Sequence, residues 1–126
     1  MEKLIIKETL NNPRVILDPF KKRYEISGKS FPENTKAFYQ PVMDWLKDLP
    51  TPSQEKIRLS IILDYISSSS VISIKQLLTK IKEQNEHGAD IEVLWHYDPT
   101  DADIKEIGEA FEKVIGIKLQ FVSKLV

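Results

Sequence analysis

The feature that most constrains the fold is a change of pattern at the middle of the chain. From Lys56 to Leu63, Ile57, Leu59, Ile61 and Leu63 alternate with Arg58 and Ser60, and the run then turns almost continuously apolar as far as Ile66. Such a stretch reads as a central β-strand covered on both faces at its C-terminal half. Four hydroxyls follow without a break, Ser67-Ser68-Ser69-Ser70. Beyond them Val71, Ile74, Leu77, Leu78 and Ile81 recur at helical spacing. A strand thus stops, and a helix starts, at a run of serines.

The flanking segments repeat the theme. Arg14–Asp18 and Tyr24–Gly28 read as two short strands joined by the turn chemistry of Asp18-Pro19-Phe20. Lys21-Lys22-Arg23 at that tip is either a solvated charge run or a basic contact patch. Asn34 is placed to cap a helix whose buried stripe is Phe38, Val42, Trp45, Leu46 and Leu49, kinked near Ala37 by Pro41 and ended by Leu49-Pro50-Thr51-Pro52. Gly88 suits a left-handed cap after the serine-initiated helix. Ile91, Val93, Trp95 and Tyr97 alternate as a further strand. Thr100 then caps a last helix, with Ile104, Ile107, Phe111, Val114 and Ile115 inward and Gly116 as its stop. Ile117, Leu119, Phe121 and Leu125 describe a final strand.

The order is β-β-α-β-α-β-α-β, an α/β fold in which right-handed crossovers lay the last three strands parallel within a mixed sheet, with helices on one or both faces. With 126 residues, one core is expected, and residues 1–126 form one domain. A formal charge of −1 gives no long-range attraction to nucleic acid or an anionic membrane. The absence of cysteine removes disulfides, thiol nucleophiles and thiolate metal sites. The charged start, Met1 to Lys7, does not read as a signal peptide, and no apolar run nears the roughly 18 residues of a membrane span. A cytoplasmic protein without cofactor or metal is expected.

Ligands of such sheets gather at the carboxyl edge of the strands, where the serine run and His96-Tyr97-Asp98 both fall. The serines have a plain explanation as helix caps. They have a sharper one as a phosphorylation site, since a first-turn phosphate adds about −1.5 to −2 charge where free amides and the helix dipole hold it. Ser68, His96 and Asp98 could alternatively serve a small serine hydrolase. Against that, no Gly-x-Ser-x-Gly elbow or glycine-rich oxyanion loop is present. The acids Asp98, Asp101, Asp103 and Glu106 miss calcium-loop spacing and suit helix capping. Two histidines without cysteine do not make a zinc site.

Phe31-Pro32-Glu33-Asn34-Thr35, Pro41 with Asp44-Trp45-Leu46, Leu63-Asp64-Tyr65-Ile66-Ser67-Ser68-Ser69-Ser70, and Leu94-Trp95-His96-Tyr97-Asp98 occur in one order. Together they resemble the SiaC family of bacterial biofilm-regulation phosphoproteins, over about Pro13 to Phe121. The resemblance implies a STAS-like fold, that of anti-sigma factor antagonists, and a non-enzymatic partner switch. A dedicated serine/threonine kinase would phosphorylate the helix start, and a PP2C-like phosphatase would reverse it. The unphosphorylated form would bind an effector such as a diguanylate cyclase, raising cyclic di-GMP; a STAS-type anti-sigma factor antagonist is the alternative. The family usually has Asn-Thr-Ser-Ser where this chain has Ser67 to Ser70. The acceptor therefore maps to Ser68, with Ser69 second. Ser67, Ser69 and Ser70, and the Glu33-Asn34 turn, are candidate partner contacts.

Overall fold

The computed structural model describes residues 1–124. Its order is β1 (Leu4–Ile6), β2 (Arg14–Asp18), β3 (Arg23–Ser30), α1 (Thr35–Lys47), β4 (Lys56–Ile66), α2 (Ser68–Glu86), β5 (Asp90–Tyr97), α3 (Ala102–Ile115) and β6 (Leu119–Ser123). The six strands form one sheet in which strand order follows chain order. β1, β2 and β3 pair antiparallel, while β3, β4, β5 and β6 are all parallel. The expected parallel end of the sheet is therefore present and extends one strand further, to β3.

All three helices lie on one face. Trp45 of α1 stacks at 6.0 Å on Tyr24 of β3, and Phe111 of α3 stacks edge-on at 5.7 Å on Trp95 of β5. The register Tyr24–Leu59–Val93 puts Tyr24 and Trp95 on the same side of the pleat. α2 packs between α1 and α3. Its stripe Ile74, Leu77, Leu78 and Ile81 is sealed against the sheet. Burying each such side chain stabilises the fold by about 1.5–3 kcal/mol.

One-sided covering corrects the expectation for β4. Ile57, Leu59, Ile61 and Leu63 are buried, but Ile62 is only half-buried and Asp64 and Tyr65 are exposed. The apolar run is continuous because Ile62 lies on the open face between Ser27 of β3 and the strand β5, not because a second helix layer covers it.

Other differences are local. β1 was not anticipated; it is three residues long and offers no alternation to read. α1 is one helix across Pro41 and stops at Lys47, and its most buried aromatic is Tyr39, absent from the expected stripe. The cap of α3 is Asp101, whose carboxylate accepts from the Asp103 amide at 3.0 Å. Thr100 instead donates to Asp98 through both its amide and its hydroxyl. Val114 is 65% exposed, because the stripe turns past it to Gly108. Gly108 brings α3 against β5 so closely that a Cβ there would lie 2.6 Å from Trp95 Nε1. Gly116 ends α3 in the left-handed region at φ 77°, as its position suggests. Leu125 lies outside the described residues.

Candidate functional site

The serine run sits where β4 leaves the carboxyl edge of the sheet, and its four hydroxyls have four different surroundings. Ser67, in extended backbone (φ −73°, ψ 163°), is the N-cap of α2: its Oγ accepts from the Ser70 amide at 3.2 Å. Ser67 is itself held by its amide, which donates to the Ser30 carbonyl of β3 at 2.9 Å. The turn is thereby anchored to the neighbouring strand.

Ser70 is fully buried. It donates to the Ser30 carbonyl at 2.9 Å and accepts from Ser30 Oγ at 2.8 Å and Ser67 Oγ at 2.9 Å. Behind it, Ser30 Oγ meets Tyr39 Oη of α1 at 2.6 Å. A hydroxyl carries one proton and two lone pairs. Since Ser30 gives its proton to Ser70, Tyr39 is the donor to Ser30, and the hydroxyls of Ser30, Ser70 and Tyr39 are all partnered. Burial pushes the Tyr39 phenol up to about 12, against the opposing effect of its hydrogen bond with Ser30, so it stays protonated as that donor.

Ser69 turns the other way. Its Oγ lies 2.8 Å from Thr35 Oγ1, the first residue of α1, and 3.3 Å from Ser67 Oγ. Thr35 Oγ1 also donates to the Pro32 carbonyl at 3.4 Å, and in its shorter bond with Ser69 either hydroxyl can be the donor. Ser68 and Ser69 are both exposed, and Ser68 alone of the four makes no side-chain hydrogen bond among the described residues. As the first residue of α2, it stands at the positive end of the helix dipole. The amides of Ser68 and Ser69 have no acceptor among the described residues, which leaves two donors facing outward.

The Pro32–Thr35 turn is brought beside this run. Asn34 caps α1 by accepting from the Ala37 amide at 3.1 Å, and Glu33 is exposed. Glu33, Asn34, Thr35, Lys36, Ser69 and Ile72 line one shallow groove of about 390 Å³ between the starts of α1 and α2. Ile72 is 61% exposed, one helical turn from Ser68 on the same face. On the other flank Tyr65 is 52% exposed and packs edge-on against Phe31 at 5.6 Å. A larger groove, about 860 Å³, lies at the opposite edge of the sheet, by Asn85 and Gly116 to Phe121. Asn85 there is engaged in closing its own loop, through both a donated and an accepted bond to Ile91.

The hydrolase arrangement is not assembled. No hydrogen bond joins any two of Ser68, His96 and Asp98 among the described residues. His96 lies on the open face of the sheet, since its neighbour Trp95 points to the helices, and its buried Nε2 has no partner. Burial holds its imidazole below the ordinary histidine range; Lys124 acts in the same direction and Glu25 opposes. The Asp98 carboxyl is held low by the hydrogen bonds from the Thr100 hydroxyl and amide. Among the described residues no cluster of His, Asp and Glu could hold a metal ion, and no helix is long and apolar enough to cross a membrane.

Sequence reasoning found the four serines but missed Ser30, Thr35 and Tyr39 as the groups that sort them. These partners lie 34 to 40 residues from the serines they bind, or nine apart across β3 and α1, so no local pattern carries the signal.

A sequence model of the SiaC family, described as SiaC family regulatory phosphoprotein, matches residues 6–124. An uncharacterized protein of Pseudomonas aeruginosa strain UCBPP-PA14 is 27% identical over 113 residues, covering 90% of each chain. SiaC of Pseudomonas aeruginosa superposes with a TM-score of 0.83 at 26% identity, over 98% of this chain and 100% of that one. The crystal structure of the diguanylate cyclase SiaD in complex with its activator SiaC, from the same organism, contains a chain that matches with a TM-score of 0.85 at 25% identity, over 96% and 99%.

Proposed function

The chain belongs to the SiaC family of regulatory phosphoproteins, and on that footing we propose that it is a non-enzymatic partner switch whose phosphoacceptor is Ser68. A serine/threonine kinase places the phosphate, a PP2C-like phosphatase removes it, and the unphosphorylated chain binds and regulates an effector of the diguanylate cyclase class. The observation that carries this reading is the sorting of the serine run. Ser67 caps, Ser69 and Ser70 are hydrogen-bonded to other side chains, and of the two exposed serines, Ser68 and Ser69, only Ser68 has an unengaged hydroxyl.

The effector surface is the ground around Ser68: exposed Tyr65 and Phe31 on one side, Ile72 and the Glu33-Asn34 turn on the other. A partner that covers these apolar groups must desolvate whatever stands at Ser68. A hydroxyl is cheap to cover, whereas a dianionic phosphate is not, so modification weakens binding without unfolding the domain. The complex of SiaC with the cyclase SiaD supports a cyclase as the effector class.

The test is phosphopeptide mass spectrometry after incubation with the kinase and ATP, joined to a cyclase pull-down. Phosphate is expected on Ser68. Ser68→Ala is expected to stay unmodified, folded and able to bind. Phosphate on Ser69 in place of Ser68 or outside the serine run, or loss of binding in unmodified Ser68→Ala, overturns the reading. Capture of an anti-sigma factor in place of a cyclase moves the chain to the STAS-type antagonist class.

A further inference from the structure

We infer that Thr35 decides which serine of the run takes the phosphate, by holding the Ser69 hydroxyl out of reach. The inference rests on phosphorylation of this turn and adds a specificity determinant on a different element, the first residue of α1.

Ser68 and Ser69 are both exposed and are consecutive at the start of α2, so neither exposure nor position alone separates them as acceptors. What separates them is bonding. Phosphoryl transfer forms a bond from serine Oγ to the γ-phosphorus of ATP and breaks the bond from that phosphorus to the bridging oxygen. ADP leaves, and the hydroxyl proton passes to a base on the kinase. The acceptor must therefore turn a lone pair to the phosphorus and its proton to that base. The Ser69 hydroxyl is already engaged with Thr35 Oγ1, at 2.8 Å, so its proton or one of its lone pairs is committed at the groove between α1 and α2 whichever of the two donates. Ser68 breaks no bond of its side chain to react.

Thr35 is well placed to hold this bond. It is buried, and its Oγ1 also reaches the Pro32 carbonyl at 3.4 Å, which holds it beside Ser69. The Asn34 cap fixes the first turn of α1 from which it projects. Releasing Ser69 from one ordinary hydrogen bond corresponds to a factor of about five in its reactivity as an acceptor. Thr35 is thus a positioning residue and does not touch the transferred group.

The experiment compares wild type, Thr35→Val, Thr35→Ala and Thr35→Ser, each incubated with ATP, magnesium and the kinase that modifies the wild-type chain. Fragmentation mass spectrometry then reads the ratio of phosphate on Ser69 to phosphate on Ser68. The expected result is phosphate on Ser68 in wild type, a rise of about fivefold in the Ser69 share for Thr35→Val and Thr35→Ala, and a wild-type ratio for Thr35→Ser. A loss of stability alone changes the total phosphate, not its distribution, and Thr35→Ala gives a second hydroxyl-free variant if Thr35→Val folds poorly. Phosphate on Ser68 in wild type with an unchanged ratio in both hydroxyl-free variants overturns this inference and leaves the proposed function standing. Wild-type phosphate on Ser69, or none in the run, overturns both.

Discussion

Tyr39 Oη and Ser30 Oγ lie 2.6 Å apart in the closed seam between α1 and β3, and both residues are buried. Removing either end has a different expected cost. Tyr39→Phe leaves one lone pair of Ser30 unfilled and should lower stability by about 0.5–1.5 kcal/mol. Ser30→Ala strands the Tyr39 O–H and takes a donor from Ser70, so a loss of about 1–3 kcal/mol is expected. The double variant should cost less than the sum, because the second change removes a group the first has orphaned. Urea titrations of the four proteins measure this; strict additivity would mean that the contact contributes nothing.

The serine run should behave unevenly when each hydroxyl is removed. Ser67→Ala loses the cap of α2 and is expected to destabilise by about 1 kcal/mol. Ser68→Ala breaks no hydrogen bond and puts a better helix former at an exposed helical position. Its effect should stay within about 0.5 kcal/mol, on the stabilising side. Thermal melts decide it, and an equal loss at both positions would contradict the division of roles seen here.

Gly108→Ala inverts the usual helix rule. Alanine in place of glycine inside a helix normally stabilises by about 1 kcal/mol. Here the new methyl would meet Trp95 Nε1 at 2.6 Å and Phe121 Cε1 at 2.9 Å, so α3 must lift from the sheet. A net loss of about 1–3 kcal/mol is expected from the overpacking. A reduced urea midpoint together with a changed tryptophan fluorescence would register the lift; an unchanged or raised midpoint would refute it.

His96 should make the fold sensitive to mild acid. Its imidazole is held below the ordinary range by burial and by Lys124. The unfolded chain therefore takes up this proton near pH 6.5, while the folded chain does so only at lower pH. Stability is full above about pH 6.5 and falls as the pH drops through the folded value. In His96→Gln that part of the slope should vanish. Denaturant midpoints between pH 7.5 and 5 give the comparison, and parallel profiles for the two proteins would exclude the histidine as the source.

The contrast between what the chain shows as text and as an object follows from range. Helix α2 was legible because its stripe, its serine cap and Gly88 are all local, and β5 because Ile91, Val93 and Trp95 alternate. Val114 was misread because helical spacing does not say where a stripe stops, and Gly108, absent from the expected stripe, is buried against Trp95. The second layer inferred for β4 failed for a related reason. A half-buried isoleucine on an open sheet face has the same letter as one in a sandwich. The turn into α2 was visible as four equal serines. Their inequality comes from Ser30, Thr35 and Tyr39, which only the packing of α1 on β3 and α2 brings near.

Strand order that follows chain order also bears on how the protein is made. Each strand adds to the outer edge of the one before it, and none must be threaded between two partners already joined. All the residues that sort the serine hydroxyls lie between Ser30 and Ser70. The turn that opens α2 therefore takes none of these hydroxyl partners from β5, α3 or β6, the parts of the chain made last.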